Sequence, residues 1–534
     1  MTGRTTIKKA SLAICLFLAV TMSLMAAGEQ EGAATGALED VGFRPTGYPI
    51  VDTQVTIEAV IMRPGHLPVP FSEMTLLNDL QEKTNVNIAW EELPQQQVQE
   101  RVNLMFASRE FPDVFFNAAV SDDNIWTAAQ GGDIVPLNEY LAYAPNWSRA
   151  LEENPIIENT ITFPDGNIYS LPYSREIAWD YGIRDITLIN VDWMDKVGIS
   201  EMPTTLDELR DILRAFRDGI ADGTLPEQGI PWYWRFRNVV GGEFELYGAF
   251  GLYTFGPNML SVDNEEVHFE GTNPRLVDAI EYLNEMYEEE LFPEEVFTDP
   301  WDTYVSRIQS EPAVNGMHGS FWNYQWSLEQ GIYEALPPLP APGTDRPVYR
   351  SQPVRLQKNQ FTLMTQFEYP EVALRFIDEF ADPLTALQMS YGRVGHEILE
   401  EGDGYRQVGT NNQYLQHSPH NFIAAFIPAS MAQQVAWDSP QAAARNRYAE
   451  EVYGPYTWPQ DRHYPNVRFT DGEQEELSIL NTEIIDYMEA THADWIVNGG
   501  ARGGWDSYID ELEDLGLERW LEIHQAALDR FYGN

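Results

Sequence analysis

Residues 54–65 have the sequence Gln-Val-Thr-Ile-Glu-Ala-Val-Ile-Met-Arg-Pro-Gly, and this stretch decides the fold class. Polar and apolar side chains alternate as far as Ala59, apolar residues continue to Met62, and Pro64-Gly65 then ends the run, which predicts a half-buried strand and a turn. The pattern next predicts a helix, a strand, a helix and a short strand, over 72–83, 85–90, 95–107 and 113–116. Strands that alternate with helices in this way indicate a parallel sheet covered by helices, so we expect an α/β fold.

The same kinds of element continue along the rest of the chain. Three further elements are predicted, a strand over 187–191 and helices over 205–219 and 274–291. The tail is predicted to be helical from Leu477, and the Pro-rich stretch 336–347 indicates a linker or a boundary. A chain of 534 residues is too long for one compact core, so we expect two or more lobes.

The first 28 residues are typical of a secretory signal peptide. A basic start is followed by the uncharged run Ala10–Met25 and then by the small residues Ala26–Gly28. This order predicts cleavage between Ala27 and Glu29, with a flexible leader over 29–52. An uncleaved membrane anchor is the alternative, but the run is short for a span and its flank is small rather than basic.

The single cysteine, Cys15, lies inside the signal sequence. A lipoprotein needs a cysteine at the cleavage point after a small residue, whereas Ile14 precedes this one, so we expect no lipid anchor. The mature chain would then hold no cysteine, which excludes a disulfide, a zinc-thiolate site and a cysteine nucleophile. A secreted protein without an anchor needs an outer barrier to retain it, so we predict a periplasmic location.

The charge balance excludes two classes of partner. The chain has 83 acidic against 33 basic residues, a net charge of −50. Such a surface repels nucleic acid phosphates and anionic lipid headgroups, so we expect neither nucleic acid binding nor stable membrane insertion. High solubility is one explanation of the acidity, but adaptation to a saline or alkaline medium is favoured, because salt screens the self-repulsion of the carboxylates.

Several segments, in this order, resemble the family 1 extracellular solute-binding proteins of ABC transporters, the group that includes maltose-binding protein. They are Leu80–Ile88, Ala107–Phe115, Gly131–Leu137, Phe163–Pro172, Ile189–Gly198 and Pro203–Leu209. The tail segment Trp505–Glu518 resembles the longer, oligosaccharide-associated branch of that family. Two positions depart from the family pattern: Val191 follows Asn190 where a tyrosine-asparagine pair is common, and Leu206 replaces the usual tryptophan.

The resemblance implies a two-lobed architecture of the type II periplasmic-binding-protein kind, with ligand held in a cleft between the lobes. By analogy, residues 53–172 and 346–395 form lobe 1, and residues 173–345 and 396–534 form lobe 2. The implied function is capture of a solute by lobe closure and delivery to the permease subunits of an ABC importer, without catalysis. We expect the protein to be a monomer.

A carbohydrate ligand is favoured by the supply and placement of aromatic residues. A sugar has apolar C–H faces and a rim of hydroxyls, so its site needs flat rings beside short polar side chains. Such residues occur near predicted strand ends, and the candidates are Trp322, Asn323, Trp179, Tyr181, Trp232, Trp234, Trp126, Asn117, Asp122, Arg63 and His66. The alternative for any single tryptophan is a place in the core. Asp113, at a strand start, is expected to cap a turn instead.

Motifs for catalysis or for a bound metal are absent from the sequence. It has no Gly-x-Ser-x-Gly elbow, no phosphate-binding Gly-x-x-x-x-Gly-Lys loop and no His-Glu-x-x-His helix, and we expect neither a metal nor a cofactor. A secreted glycoside-active enzyme remains an alternative, as does a binder of a peptide or a polyamine. The abundance of aromatic residues favours an oligosaccharide over a monosaccharide.

Overall fold

The computed structural model describes residues 37–175, 183, 185–238, 241–254, 256–320, 331–351, 355–408, 413–432, 435–437 and 447–533. The chain divides into two compact units. Unit 1 consists of the chain up to Arg175 together with Leu356–Met431, and unit 2 consists of Glu176–Arg355 together with Ala432–Asn534. Each unit is therefore built from two separate stretches of sequence.

The strands, numbered along the chain, are β1 Val55–Arg63, β2 Val86–Pro94, β3 Val114–Phe116, β4 Leu171–Arg175, β5 Ile186–Asn190, β6 Ile230–Tyr233, β7 Leu260–Asp263, β8 Glu266–Phe269, β9 Asn315–Ser320, β10 Tyr333–Ala335, β11 Arg355–Leu363, β12 Ile398–Glu401, β13 Gly404–Gln407, β14 Ala425–Ile427 and β15 Val435–Trp437.

The α-helices are α1 Thr75–Thr84, α2 Val98–Ser108, α3 Asp122–Gln130, α4 Pro145–Glu153, α5 Pro155–Ile161, α6 Val191–Lys196, α7 Leu206–Asp222, α8 Phe244–Ala249, α9 Arg275–Glu288, α10 Trp301–Ile308, α11 Pro370–Asp378, α12 Pro383–Tyr391, α13 Ala429–Ala432, α14 Asp471–Asn498, α15 Ala501–Asp514 and α16 Leu517–Tyr532. Within the described ranges, none is both long and apolar enough to cross a membrane.

Unit 1 is organised around a six-stranded sheet with the order β14-β4-β11-β3-β1-β2. β1 pairs in parallel with β2 and with β3, while β11 runs antiparallel to β3. Residues 55–59 of β1 alternate between buried and exposed, as their sequence predicts, and residues 59–61 are all buried because the strand lies inside the sheet. The predicted strand–helix–strand–helix–strand order over 54–116 is confirmed.

Unit 2 has a four-stranded sheet with the order β10-β5-β9-β6 and a separate β7-β8 hairpin. β6 pairs in parallel with β9, whereas β5 is antiparallel to both β9 and β10. Thr205 caps α7, since its hydroxyl accepts a hydrogen bond from the Glu208 N–H at 3.2 Å. The core of this unit joins sheet residues to α7, α9 and the C-terminal helices α14 to α16.

The boundaries within the chain differ from those implied by the resemblance. Residues 396–431 belong to unit 1 and not to the second lobe, because β14 pairs in parallel with β4. Residues 346–355 belong to unit 2, where the buried Arg350 forms an ion pair with Asp185 at 2.6 Å. The Pro-rich stretch 336–347 accordingly lies within unit 2, and its Leu336, Leu339 and Ala341 contribute to the core there.

Candidate functional site

The carboxyl ends of β1 and β3 meet the amino-terminal half of β11 at one edge of the unit 1 sheet. Register places Ile61 beside Phe116 and Phe116 beside Phe361. The residues just beyond Phe116, together with those just before Phe361, therefore share this edge. Open α/β sheets bind their ligands at the carboxyl ends of their strands, which makes this edge, called the polar edge of unit 1, a candidate ligand site.

Asn117 follows β3 directly and has a left-handed backbone, with φ of 37°, a conformation that asparagine adopts more readily than most residues. Its backbone is fixed because its N–H donates to the Gln360 carbonyl at 3.0 Å and its carbonyl accepts from the Met62 N–H at 3.4 Å. The side chain is 8% exposed, and its amide makes no hydrogen bond to any part of the chain that the structure describes. It is a rigidly held group with free donors and a free acceptor.

Asp122 starts α3 and binds two residues of β11. Its Oδ2 lies 2.6 Å from Lys358 Nζ, and its Oδ1 accepts a hydrogen bond of 2.7 Å from the Asn359 amide. Asn359 is further held by Ser170, whose hydroxyl donates to its Oδ1 at 2.9 Å. Because both carboxylate oxygens already have protein partners, Asp122 positions the ammonium group of Lys358 at the polar edge.

Arg63 and His66 lie at the end of β1 and in the loop after it. Arg63 Nε is 3.6 Å from Glu92 Oε2 on β2, so the guanidinium group is loosely paired and keeps about a third of its side-chain surface exposed. His66 is exposed, and its ring lies 5.6 Å from that of Phe422. Both residues remain accessible to a ligand at this end of the sheet.

Trp126 takes part mainly in packing. Its ring stacks on that of Phe163 at 5.9 Å, with the two planes only 4° apart. It packs against a buried cluster of unit 1 that includes Phe115, Ile125 and Tyr169. A partly buried face remains, but the sequence-based expectation of a free aromatic platform at Trp126 does not fit this contact.

The prediction that Trp232 and Trp234 contact the ligand is corrected by the structure, because both residues lie in the core of unit 2. They are 5% and 0% exposed, and their rings stack on each other at 5.4 Å. Both contribute to the lining of a largely apolar cavity of about 60 Å³, which is poorly suited to a hydroxyl-rich ligand. Residues Ile230–Tyr233 form β6, and Pro231, Trp232 and Tyr233 of this strand are all buried.

Four sequence candidates, Trp179, Tyr181, Trp322 and Asn323, lie outside the described residues. Asp113 was expected to cap a turn, but its carboxylate instead accepts a hydrogen bond of 2.8 Å from the Glu58 N–H of β1, 55 residues away. Burial raises the pKa of Asp113. The register of Ala59 with Val114 places Asp113 at the amino end of β3, away from the polar edge.

Sequence reasoning missed two residues of the polar edge, Lys358 and Gln360. Gln360 is 6% exposed and its Oε1 is buried without a hydrogen-bond partner, while its amide nitrogen donates to the Lys358 carbonyl at 2.9 Å. A signal existed for Lys358, since only three lysines follow residue 9 in this chain. The pairing of β11 with β3 could not be deduced, because about 240 residues separate them.

The polar edge brings together neutral amides, an ammonium and a guanidinium group. In the portion of the chain that the structure describes, no three His, Cys, Asp or Glu side chains are arranged to hold a metal ion. Amide and ammonium groups donate hydrogen bonds to oxygen atoms without needing a change of protonation near neutral pH. The geometry therefore suits reversible binding of an oxygen-rich solute.

Comparison with known proteins identifies the family of this chain. Residues 71–383 match the family model described as bacterial extracellular solute-binding protein. The chain belongs to this family. The match spans more than half of the sequence and includes β3 and all of β11, which carry part of the polar edge.

Full-length relatives agree with this assignment. The solute-binding protein is 26% identical over 550 residues to the fructooligosaccharide ABC transporter substrate-binding protein FusA of Streptococcus pneumoniae, with 99% of each chain covered. The structure of a FusA EF-hand mutant in complex with fructo-nystose has 25% identity and a TM-score of 0.75, and the match covers 90% of this chain and all of that one.

A second solved structure supports the fold alone. The HMO-binding, ABC-transporter-associated solute-binding protein of Bifidobacterium longum infantis is 22% identical, with a TM-score of 0.77, and the match covers 90% of this chain and 99% of that one. The α/β fold of two-lobed solute-binding proteins, expected from the sequence, is confirmed.

Proposed function

We propose that this solute-binding protein captures an oligosaccharide outside the cytoplasmic membrane and delivers it to the permease of an ABC importer. The observation that carries the proposal is the match to a fructooligosaccharide-binding protein over 99% of both chains. A match of that extent includes both units and every segment that joins them. The ligand class of that relative is therefore the first to test.

The polar edge supports a carbohydrate ligand on chemical grounds. Asn117 offers an amide whose donors and acceptor make no hydrogen bond within the described part of the chain, and Lys358 supplies an ammonium group held by Asp122. Sugar hydroxyls both donate and accept hydrogen bonds, so a mixture of amide and ammonium groups matches them. We propose Asn117, Lys358, Gln360, Arg63 and His66 as ligand contacts in unit 1.

The remaining sequence candidates stay proposals. Trp179, Tyr181, Trp322 and Asn323 are retained because aromatic rings beside amides are the expected partners of sugar C–H faces and hydroxyls. Closure of the protein around its ligand, which the resemblance implies, also stays a prediction. We further propose that the protein is a monomer and acts without catalysis.

The proposed location is the periplasm, after removal of residues 1–28. The family is extracellular by its description, and the basic, apolar and small segments before Glu29 have the order of a cleaved signal. Mass spectrometry of the exported protein tests this proposal. A mature chain that starts at Gly28 or Glu29 supports it, and a lipid-modified Cys15 would contradict it.

Ligand binding is tested by isothermal titration and thermal unfolding of the chain from Glu29 onward. The panel contains kestose, nystose, a human milk oligosaccharide, a tripeptide and spermidine. A ligand at 100 times its dissociation constant adds about 2.7 kcal/mol to the free energy of unfolding, so a rise in melting temperature is expected for one glycan class. A rise in melting temperature with the tripeptide or spermidine alone would contradict the carbohydrate assignment.

The same samples test the enzymatic alternative. Each sugar that binds is incubated with the protein, and the release of reducing ends is measured over several hours. Binding with an unchanged sugar is the expected result. Turnover of the bound glycan would replace the importer proposal by a glycoside-active enzyme, which needs two carboxyl groups about 5–10 Å apart across the scissile bond.

A further inference from the structure

A second candidate group, the partly exposed Arg235 and the exposed Trp301, lies in unit 2 near the carboxyl ends of β6 and β9. These strands are parallel, with Trp232 beside Met317 and Tyr233 beside His318, so both end at the same edge of the sheet. Arg235 follows β6 by two residues. Trp301 is the first residue of α10, and its ring lies against the guanidinium group of Arg235.

The guanidinium group of Arg235 lies against two aromatic rings. Its central carbon is 5.5 Å from the centroid of the Trp301 ring and 5.9 Å from that of Tyr304. Its Nε is buried without a hydrogen-bond partner. Among the described residues, no carboxylate forms an ion pair with the guanidinium group and no acceptor receives a hydrogen bond from it, whereas the Arg235 backbone N–H donates to the Gly241 carbonyl at 2.9 Å. Burial lowers the pKa of Arg235, as expected for a charge that the protein leaves uncompensated.

An unpaired arginine is unexpected in this chain, where acidic residues outnumber basic ones by 83 to 33. The neighbouring Arg307 lies 3.5 Å from Asp299, and Arg214 is bound by Glu289. Asp299, whose charge acts to raise the pKa of Arg235, also accepts a hydrogen bond of 2.5 Å from the Tyr233 hydroxyl. The donors of Arg235 are therefore available to an acceptor that is not part of the protein.

Trp301 supplies a flat surface beside these donors. It is 37% exposed, one of few large apolar side chains with that exposure in the described ranges. Its indole ring is held in place by stacking on Tyr304 at 6.0 Å, with an angle of 25° between the planes. Tyr304 is fully buried and its hydroxyl donates to the Gly319 carbonyl at the end of β9, so the platform is anchored to the sheet.

We propose that Arg235 and Trp301 form a subsite on unit 2 for one neutral sugar ring of the ligand. The C–H face of the ring packs on the exposed indole, and ring or hydroxyl oxygens accept hydrogen bonds from the guanidinium group. A neutral ring is favoured over an anionic one because the net charge of −50 repels anions from the protein. This inference rests on the proposed function and deepens it, since it adds a contact that sequence reasoning did not consider.

The test measures binding of kestose and nystose to the mature protein by isothermal titration. The variants are Arg235→Met, which keeps the aliphatic contact with the rings, and Trp301→Ala, with Trp301→Phe as the conservative replacement. Tyr532→Ala, which truncates another exposed aromatic residue of unit 2 (38% exposed), is the matched control. Melting temperatures of all variants check that each one is folded.

Arg235→Met and Trp301→Ala are each expected to raise the dissociation constant at least tenfold, with Trp301→Phe intermediate and Tyr532→Ala unchanged. The wild-type tryptophan fluorescence should also change on binding, and Trp301→Phe should lose part of that change. Normal affinity in folded Arg235→Met and Trp301→Ala would overturn the subsite while leaving the carbohydrate function intact. Failure of the wild-type protein to bind either these sugars or the human milk oligosaccharide would overturn both proposals.

Discussion

Lys358 Nζ lies 2.6 Å from Asp122 Oδ2, in an ion pair that joins β11 to the first residue of α3. The two residues are 236 positions apart in sequence. The lysine side chain is 18% exposed, so the pair is largely shielded from the screening that weakens surface salt bridges. Its effect is to hold one ammonium group in a fixed place at the polar edge of unit 1.

Replacing Lys358 by Met is expected to weaken oligosaccharide binding about tenfold or more, because a hydrogen bond from a charged donor contributes about 1.5–3 kcal/mol. Isothermal titration with the glycan that binds the wild-type protein measures the effect. Lys196→Met is the matched control, since Lys196 forms an exposed ion pair with Asp192 within α6 of unit 2. Equal losses of affinity in both variants would show that the effect is one of overall charge.

Asn117→Asp is expected to lower affinity by a similar factor without unfolding the protein. The replacement keeps the size of the side chain and tolerates the left-handed backbone at φ 37°, but it removes the two amide donors and adds a negative charge. Titration of the same glycan gives the affinity, and urea denaturation gives the free energy of unfolding.

Asn264→Asp is the control for Asn117→Asp. Asn264 also has a left-handed backbone, with φ of 51°, and it lies in the exposed turn between β7 and β8 of unit 2. Unchanged binding in this variant, beside a loss in Asn117→Asp, assigns the effect to the polar edge. Retained affinity in Asn117→Asp would remove Asn117 from the proposed site.

The fold of unit 1 was predictable from its sequence because its first three strands and two helices are local patterns. Each strand of residues 54–116 alternates or is wholly apolar, and each helix repeats its apolar positions at helical spacing. The position of β14 was not predictable. It is only three residues long, and its place beside β4 results from pairing across about 250 residues of intervening chain, which leaves no local signal.

The candidate site was predictable in unit 1 and not in unit 2. Asn117, Asp122, Arg63 and His66 lie at or shortly after the ends of predicted strands, so the rule that ligands bind at the carboxyl ends of strands was enough to name them as candidates. Trp232 and Trp234 follow the same rule but are buried. Sequence alone does not show on which side of β6 the helices pack, and that packing decides whether a ring is in the core or at the surface.

Trp234→Ala is therefore expected to act on stability. Its ring is fully buried among Trp232, Phe292 and Phe297, and truncation of a buried tryptophan costs about 3–5 kcal/mol. Urea denaturation should show this loss. At temperatures where the variant is folded, its dissociation constant for the glycan should stay within about twofold of the wild-type value, equivalent to less than 0.5 kcal/mol. A large loss of affinity in the folded variant would restore Trp234 as a ligand contact.

Asp378, at the end of α11, caps a helix that lacks a cap of its own. The N-cap residue of α4, Ala144, has no side-chain acceptor, and Asp378 Oδ1 instead accepts the N–H groups of Asn146 at 2.8 Å and Trp147 at 3.1 Å. Asp378→Ala is expected to lower the free energy of unfolding by about 1–2 kcal/mol, as for loss of an N-cap. Urea denaturation at neutral pH measures it, with the exposed Asp79→Ala as the control.

The contribution of Asp378 to the free energy of unfolding depends on pH, and the environment of its carboxyl group sets the sign of that dependence. Burial raises the pKa of Asp378 to about 6, although both backbone N–H groups and Arg375 oppose the shift. The folded protein therefore binds more protons at this group than the unfolded chain between about pH 4 and 6, so its contribution to stability falls as the pH rises through that range. Asp378→Asn, which does not titrate, should flatten this decline in urea titrations at pH 4, 5, 6 and 7. A variant with the same slope as the wild-type protein would show that Asp378 is already ionised throughout this range, with the two N–H groups of α4 outweighing its burial.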